Sequence, residues 1–193
     1  MKIRAEQDTD HDAVREVHHR ASGPGGSVVV PLVNTLRATF ADHPGASLVA
    51  ESGGRVVGHV MFTRALLDAP RRLVDVQVLS PLAVLPEHQR QGIGSALIRH
   101  GLELMAALPV PLVFLEGPAD YYARSGFTAA GGLGFRKPSL RIPEPAFQVF
   151  RLPGYEPWMT GTLVYPPAFW DHDAVGLRDA GTVATAEAAA ADR

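Results

Sequence analysis

A short glycine-rich segment, Gln89-Arg90-Gln91-Gly92-Ile93-Gly94, is the part of this chain best suited to chemistry. It follows an apolar stretch and precedes a segment whose large apolar residues recur at helical spacing. A turn that opens a helix presents main-chain N–H groups without internal partners, and the helix dipole favours negative charge there. Glycine lets a phosphate approach the main chain because it has no Cβ. The pattern therefore predicts a cradle for a pyrophosphate group.

The segments around this turn give it a specific context. The sequence PLAV at 81–84 precedes the turn, and YYARSGF at 121–127 follows the next apolar strand. With Gln89, Gly92 and Gly94, these segments resemble the GNAT superfamily of N-acetyltransferases, and within it the YhbS-like bacterial branch. The resemblance implies an enzyme that transfers acetyl from acetyl-CoA to a primary amine of a small molecule or peptide.

The resemblance spans about residues 1–165 and implies a set of cofactor contacts. The main-chain groups of Leu82, Ala83 and Val84 are expected to pair with the pantetheine amides, as an added strand would. The pyrophosphate is expected on the N–H groups of seven consecutive residues: Gln89, Arg90, Gln91, Gly92, Ile93, Gly94 and Ser95. The alternative is an ordinary strand-to-helix turn, in which the glycines only permit tight packing.

The paired tyrosines supply the candidate acid. Tyr122 matches the family tyrosine that faces the cofactor sulfur, and a phenol can give its proton to a thiolate leaving group. Tyr121 fills the preceding aromatic position, which is expected to pack inward. The alternative makes both rings core residues, with Gly126 ending the helix. Many family members carry an asparagine shortly before the tyrosine, and this chain has none there.

The general base is less clearly marked in the sequence. Glu116 ends the apolar strand after the long helix, where it can relay a proton through water. Asp75 and Gln77 share one face of the preceding strand, but they lie nearer its other end. Each of the three is more typical of a solvated residue, and an ordered chain of waters is the remaining alternative.

Hydrophobic periodicity and turn signals predict strands and helices in the order of an α/β (α+β) fold. The resemblance implies that this is the GNAT fold, with a mixed, mostly antiparallel twisted sheet and helices on both faces. Ile93, Leu97, Ile98, Leu102, Met105 and Leu108 form the apolar stripe of the helix after the turn. The other expected elements are strands at 2–6, 47–51, 55–62, 73–84, 110–115, 140–142, 147–152 and 162–165, and helices from about residue 9 to 19, at 31–41 and at the tyrosines. The resemblance implies that the strands at 73–84 and 110–115 splay apart to admit the thioester arm.

Composition narrows the classes of function. The chain has 193 residues, 46% of them apolar, and a net charge of −2, which suits one globular domain and argues against nucleic acid binding. It has no cysteine, which excludes disulfides and a cysteine nucleophile. The eight histidines show no metal-binding spacing, and no hydrolase elbow or Walker lysine is present. A charged N-terminus without a long apolar run predicts a cytoplasmic protein without membrane contact.

We expect residues 1–170 to form the GNAT domain and the alanine-rich residues 171–193 to form a tail. Acetyl-CoA is the expected co-substrate, no metal is expected, and the protein is expected to be a monomer or homodimer. Two functions remain open: an N-acetyltransferase, or a non-catalytic acyl-CoA sensor that kept the fold. The acceptor is not identified, because the segments at 23–31 and 133–161 that would line its pocket carry no shared motif.

Overall fold

The computed structural model describes residues 1–23 and 26–176, with the side chains of 26 and 27 left aside. Its elements in chain order are β1 Lys2–Ala5, α1 His11–Ser22, α2 Gly26–Thr39, β2 Ala46–Ser52, β3 Arg55–Asp68, β4 Leu73–Val84, α3 Ile93–Ala106, β5 Leu112–Glu116, α4 Ala119–Tyr122, β6 Thr128–Ala129, β7 Phe135–Arg136, β8 Phe147–Arg151, β9 Gly161–Val164 and α5 Pro167–Asp171. Within the described ranges, no helix is long and apolar enough to cross a membrane.

The strands form one sheet in the order β1-β2-β3-β4-β5-β8-β6, with β9 beside the end of β3 and β7 beside β9. Neighbours are antiparallel except in the pairs β4–β5 and β7–β9. One apolar cluster joins α2 and α5 to one face of the sheet, and a second cluster joins α3 to the other face. This is the predicted mixed, mostly antiparallel sheet with helices on both faces.

The short pairing between β4 and β5 determines where the candidate site lies. Only two residue pairs join them, Gln77–Val113 and Val78–Phe114. Beyond that point β4 continues to Val84 and pairs only with β3. Pro81 has no N–H to donate, and the register between β3 and β4 shifts at this place. The two strands therefore diverge, as the resemblance implied, and leave an open edge along residues 79–84.

Several predicted elements differ in detail from the structure. The helix predicted at 31–41 begins at Gly26, so Pro31 lies inside α2 rather than at its start. The strand predicted at 140–142 is wrong. Leu140 is 93% exposed, and the Ile142 N–H donates to the Ser139 carbonyl across a turn. Two apolar residues on either side of an arginine, of which only Ile142 is buried, were too little to specify a strand.

The packed chain continues at least to Gly176, because Val175 is fully buried in the cluster under α2 and α5. The alanine-rich stretch at 182–192 lies outside the described residues. The division into a domain at 1–170 and a tail at 171–193 stays a prediction.

A buried polar network ties α1 and α2 to the sheet. His18 Nε2 lies 2.7 Å from His59 Nδ1, and His59 Nε2 lies 2.8 Å from Ser47 Oγ. Ser47 Oγ also lies 2.5 Å from Glu6 Oε2, and the Arg37 guanidinium donates to Glu6 at 2.6 Å. A carboxylate only accepts, so Ser47 must donate to Glu6 and accept from His59. Burial of both rings favours neutral imidazoles, and in that state His59 Nδ1 accepts from His18 Nε2.

Burial sets the charge state of these histidines. It lowers the pKa of His18 to about 3, with His59 and Arg37 adding repulsion. It also lowers the pKa of His59, although the nearby Glu6 carboxylate and Asp10 act in the opposite direction. The folded protein therefore holds two uncharged histidines between α1 and β3.

This network predicts a loss of stability in mild acid. Below pH about 6.5 an unfolded histidine takes up a proton, whereas native His18 stays neutral down to pH about 3. The unfolded state binds more protons in this window, so the free energy of unfolding falls as the pH falls, by about 2 kcal/mol from His18 between pH 7.5 and pH 5. Urea unfolding at the two pH values measures the difference.

His18→Gln keeps a donor for His59 but cannot titrate, so its free energy of unfolding should depend less on pH. The matched control is His19→Gln, since His19 is exposed on the same helix and should leave the pH dependence intact. Equal pH dependence in His18→Gln and the wild type would contradict the assignment.

Candidate active site

A cleft of about 660 Å³ opens between the divergent part of β4, the start of α3 and the segment after β5. It contains nine of the ten residues predicted to bind the cofactor, together with both tyrosines. Its lining residues are Leu82, Ala83, Val84, His88, Gln89, Arg90, Gly92, Ile93, Gly94, Ser95, Tyr121, Tyr122 and Arg124.

The glycine turn at one end of this cleft has the backbone of an anion cradle. Arg90 and Gly92 both adopt left-handed conformations, with φ of 59° and 81°. Gly92 is the N-cap of α3, and its carbonyl accepts from the Ala96 N–H at 2.9 Å. The N–H groups of the first helical turn therefore have no partner within the helix. A non-glycine residue in the left-handed region is uncommon, and such strain concentrates at functional sites.

Two glutamine side chains hold the turn in place. The Gln89 amide donates to the Val84 carbonyl at 3.0 Å, and the Gln91 amide donates to the Glu87 carbonyl at 3.1 Å. Gln91 is the one predicted cofactor residue that does not line the cleft. Arg20 at the end of α1 donates two hydrogen bonds to the Glu87 carboxylate, at 3.1 and 3.0 Å. The start of the turn is thus tied to both β4 and α1.

The open edge of β4 supplies main-chain groups along the cleft. The Leu85 N–H donates to the Val57 carbonyl, which directs the groups of Leu85 toward β3. Because the direction alternates along a strand, the groups of Leu82 and Val84 point away from β3, into the gap. The bond from Gln89 to the Val84 carbonyl agrees with this direction. An extended ligand with amide groups can pair with this edge.

The two tyrosines are arranged differently from the expectation. Tyr121 is 38% exposed, its hydroxyl is hydrogen-bonded to Ser95, and a Cβ on Gly94 would collide with that hydroxyl. Tyr122 is the inward-packed ring, 8% exposed, against Gly117 and Phe127. The prediction that Tyr121 packs inward is therefore wrong, since the four-residue helix α4 turns Tyr121 toward the glycine turn.

Both phenols are held in the protonated form. Burial raises the pKa of Tyr122, and the neighbouring Tyr121 raises it further. Burial also raises the pKa of Tyr121, although the hydrogen bond to Ser95 acts against it. Each hydroxyl can therefore donate a hydrogen bond or proton at neutral pH, and neither is suited to act as a base.

The candidate bases lie outside the lining of this cleft. Glu116 is the last residue of β5, and its Oε2 accepts from the Gly176 N–H at 2.9 Å. Burial raises its pKa, against lowering contributions from Tyr165, Gly176 and Arg141. Asp75 is paired with Arg64, and buried Gln77 donates to the Pro44 carbonyl at 3.0 Å. The structure therefore brings neither Asp75 nor Gln77 to the cleft.

A second groove of about 740 Å³ adjoins the cleft and shares Ser95 and Arg124 with it. Its remaining residues come from one side of α3 and from the segment at 125–153: Arg99, Leu102, Glu103, Ala106, Ser125, Phe150, Arg151, Leu152 and Pro153. No motif in the sequence predicted this groove, or the place of His88 and Arg124 in the cleft. Arg99 follows Ser95 by four residues, or about one helical turn, so the two residues share one side of α3. This spacing could have predicted that Arg99 lies near the glycine turn.

In the part of the chain that the structure describes, no group of three histidine or acidic residues is placed to hold a metal ion. The expectation of a metal-independent reaction stays a prediction, as do the monomer or homodimer state and the cytoplasmic location.

Comparison with known proteins agrees with this geometry. A family described as "Acetyltransferase (GNAT) domain" matches residues 43–129, from the loop before β2 to β6. The chain is 39% identical over 137 residues to the uncharacterized N-acetyltransferase YjhQ of Escherichia coli K12, a match that covers 70% of this chain and 74% of YjhQ. The match covers more than two thirds of both chains.

Two solved structures resemble nearly the whole chain. The GNAT family N-acetyltransferase YhbS from Escherichia coli, solved in complex with CoA, aligns with a TM-score of 0.76 at 27% identity, over 87% of this chain and 91% of YhbS. A GNAT family acetyltransferase from Brucella melitensis, in complex with acetyl-CoA, aligns with a TM-score of 0.69 at 31% identity, over 87% of this chain and 97% of that protein. On these matches, the chain belongs to the GNAT superfamily of acetyl-CoA-dependent N-acetyltransferases.

Proposed function

We propose that this protein transfers acetyl from acetyl-CoA to a primary amine of a small molecule or peptide. Tyr122 is the proton donor to the departing thiolate, and Glu116 is the proton acceptor on the amine side. The observation that carries the proposal is that the open edge of β4, the glycine turn and Tyr122 line one continuous cleft. YhbS and the Brucella protein are solved with CoA and acetyl-CoA, which supports the same use of this cleft.

The cleft divides into parts that suit successive parts of acetyl-CoA. The pyrophosphate lies at the glycine turn, on the N–H groups at the start of α3. The pantetheine arm runs along β4 and pairs with the main chain of Leu82 and Val84. The thioester then lies in the gap between β4 and β5, near the Tyr122 hydroxyl. Holding the thioester and the amine in one geometry supplies much of the rate gain.

The chemical step forms one bond and breaks another. The amine nitrogen attacks the thioester carbonyl carbon, a C–N bond forms, the C–S bond breaks, and CoA leaves as a thiolate. Tyr122 stays protonated in its buried setting, so its hydroxyl can stabilise the thiolate by a hydrogen bond and give it a proton. The raised pKa of Glu116 brings its basicity closer to neutral pH, which suits a group that takes a proton from the amine.

The adjoining groove suits the 3′-phosphoadenosine end of the cofactor. It begins at Ser95 and Arg124, beside the glycine turn, which is where the chain of the cofactor leaves the pyrophosphate. Arg99 and Arg151 add positive charge, and Leu102 and Phe150 give apolar surface for a base. Guanidinium groups bind phosphate well, so the groove fits a phosphorylated nucleoside.

Bulk and negative charge at the glycine turn should prevent cofactor binding. We expect Gly92→Asp or Gly94→Glu to weaken CoA binding at least tenfold in calorimetry, because each places a carboxylate where the phosphates lie. The matched control is Gly132→Asp, which adds the same charge in open space on the surface. Unchanged CoA affinity in a variant with native circular dichroism would contradict the cradle.

Removing the Tyr122 hydroxyl should impair the chemical step alone. We expect Tyr122→Phe to lower turnover by roughly ten- to a thousandfold, the range for one acid–base group, with little change in CoA affinity. Tyr121→Phe is the control, since it loses the bond to Ser95 and should affect cofactor binding more than turnover. Wild-type turnover in Tyr122→Phe, with chemistry rate-limiting, would show that Tyr122 only packs.

The groove predicts recognition of the cofactor's 3′-phosphate. Arg99→Ala should weaken CoA binding by roughly tenfold or more, because a charge-assisted hydrogen bond is lost, and should leave binding of 3′-dephospho-CoA nearly unchanged. Calorimetry with both ligands makes the comparison, and Arg15→Ala on exposed α1 is the control. Equal losses for both ligands would place the 3′-phosphate elsewhere.

A further inference from the structure

A connection of two residues, Gly117 and Pro118, joins the end of β5 to α4, the short helix that carries Tyr122. The Gly117 N–H donates to the Ala146 carbonyl at 3.0 Å, and the Gly117 carbonyl accepts from the side-chain amide of Gln148, also at 3.0 Å. The Pro118 carbonyl then accepts from the Tyr122 N–H at 3.3 Å. Hydrogen bonds therefore fix the main chain from the end of the sheet to Tyr122.

Gln148 is a buried polar residue whose main chain is held on both sides. It is 1% exposed, and it pairs with Leu115 of β5 and with Ala129 of β6. Leu115 belongs to the apolar cluster under α3, and cross-strand partners share a face of the sheet, so the Gln148 side chain lies on the same face as Tyr122. Burying an amide is costly unless it is hydrogen-bonded. An apolar residue would fill this position without that cost, so the loop carbonyl explains why an amide is present.

The second link is the contact between Gly117 and the Tyr122 ring. A Cβ on Gly117 would collide with the edge of that ring. Gly117 is not in the left-handed region, so the ring and not the backbone conformation excludes a side chain here. Tyr121 and Phe127 meet the same ring edge to face, with centroids 4.9 and 6.0 Å away. The position of Gly117 therefore helps to determine where the Tyr122 hydroxyl lies.

We propose that Gln148 is a positioning residue for Tyr122. Its amide holds the Gly117 carbonyl, Gly117 bounds the ring, and the ring places the hydroxyl beside the departing thiolate. This inference rests on the proton-donor role proposed above for Tyr122. A proton donor must lie within hydrogen-bond reach of the atom that it protonates, and a displacement of about 1 Å can lower the rate by about a hundredfold. Without the amide, the Gly117 carbonyl is free to turn and the ring moves with it.

Gln148→Met tests the first link, because methionine is a flexible side chain of similar length that cannot donate. We expect kcat to fall by about ten- to a hundredfold, with the CoA dissociation constant unchanged, since the glycine turn and the edge of β4 are not altered. Gln77→Met is the matched control. Gln77 is equally buried and donates to the Pro44 carbonyl at the same 3.0 Å, but it lies outside the cleft. Equal kcat values in the two variants would overturn the inference.

A double-mutant cycle with Tyr122→Phe separates positioning from a structural contribution. We expect Gln148→Met to have little further effect on kcat in the Tyr122→Phe background, because no hydroxyl remains to be positioned. A merely structural contribution would lower kcat by the same factor in both backgrounds, and that result would overturn the role of Gln148. Circular dichroism and thermal unfolding of the four proteins show that each compared rate belongs to a folded enzyme.

Gly117→Ala tests the second link and does not depend on the folding of the Gln148 variant. Its Cβ should displace the ring and lower kcat at least tenfold in the wild type, but only slightly in the Tyr122→Phe background. Gly132→Ala is the control, because a Cβ there meets open space. A Gly117→Ala variant with wild-type kcat would show that this contact does not position the ring.

The outcomes separate this inference from the proposed function. If Tyr122→Phe keeps wild-type turnover with chemistry rate-limiting, the proton-donor role fails, and the positioning role fails with it. If Tyr122→Phe is impaired while Gln148→Met and Gly117→Ala keep wild-type kcat, the proton-donor role stands and only the positioning role of Gln148 fails.

Discussion

The early end of the β4–β5 pairing is the constraint on which the rest of this molecule depends. After Val78–Phe114 the two strands share no further pairs, yet each keeps its other neighbour, β3 for β4 and β8 for β5. The sheet therefore stays whole while a gap opens at its centre. A gap of this kind exposes main-chain groups that a continuous sheet would satisfy internally, and such groups require partners. An amide-bearing ligand laid along β4 would provide them.

The part of the site made of main chain could be predicted from the sequence, and the part made of side chains from distant segments could not. The role of Gly92 is local, because a left-handed N-cap favours glycine, whereas the close contact of Gly94 with the Tyr121 hydroxyl is seen only in the fold. The apolar stripe of α3 and the bounds of β4 could also be predicted, because hydrophobic periodicity is local information in the sequence. The orientation of Tyr121 depends on how α4 packs against α3. Two adjacent tyrosines in the sequence do not show which of the two rings faces that helix.

Contacts between residues that are far apart in the sequence could not be predicted either. Glu116 meets Tyr165 and Gly176, which are 49 and 60 residues further along the chain, and no spacing rule joins them. His18 and His59 lie on a helix and a strand that are separated by α2 and β2, so their pairing appears only in the fold. His18 and His19 are adjacent residues of the same type, yet His18 is buried and His19 is exposed. Burial, rather than residue type, gives His18 its low pKa.

The sheet also separates charge in a way that the net charge of −2 conceals. Arg90, Arg99 and Arg124 line the cleft and groove on the α3 side, where a cofactor with three phosphates would lie. Glu116 lies toward the opposite face, because it follows Phe114 by two residues on β5 and Phe114 belongs to the apolar cluster under α2 and α5. The phosphates of a bound CoA would therefore meet positive charge on the α3 side of the gap, whereas a ligand on the other side would meet a carboxylate.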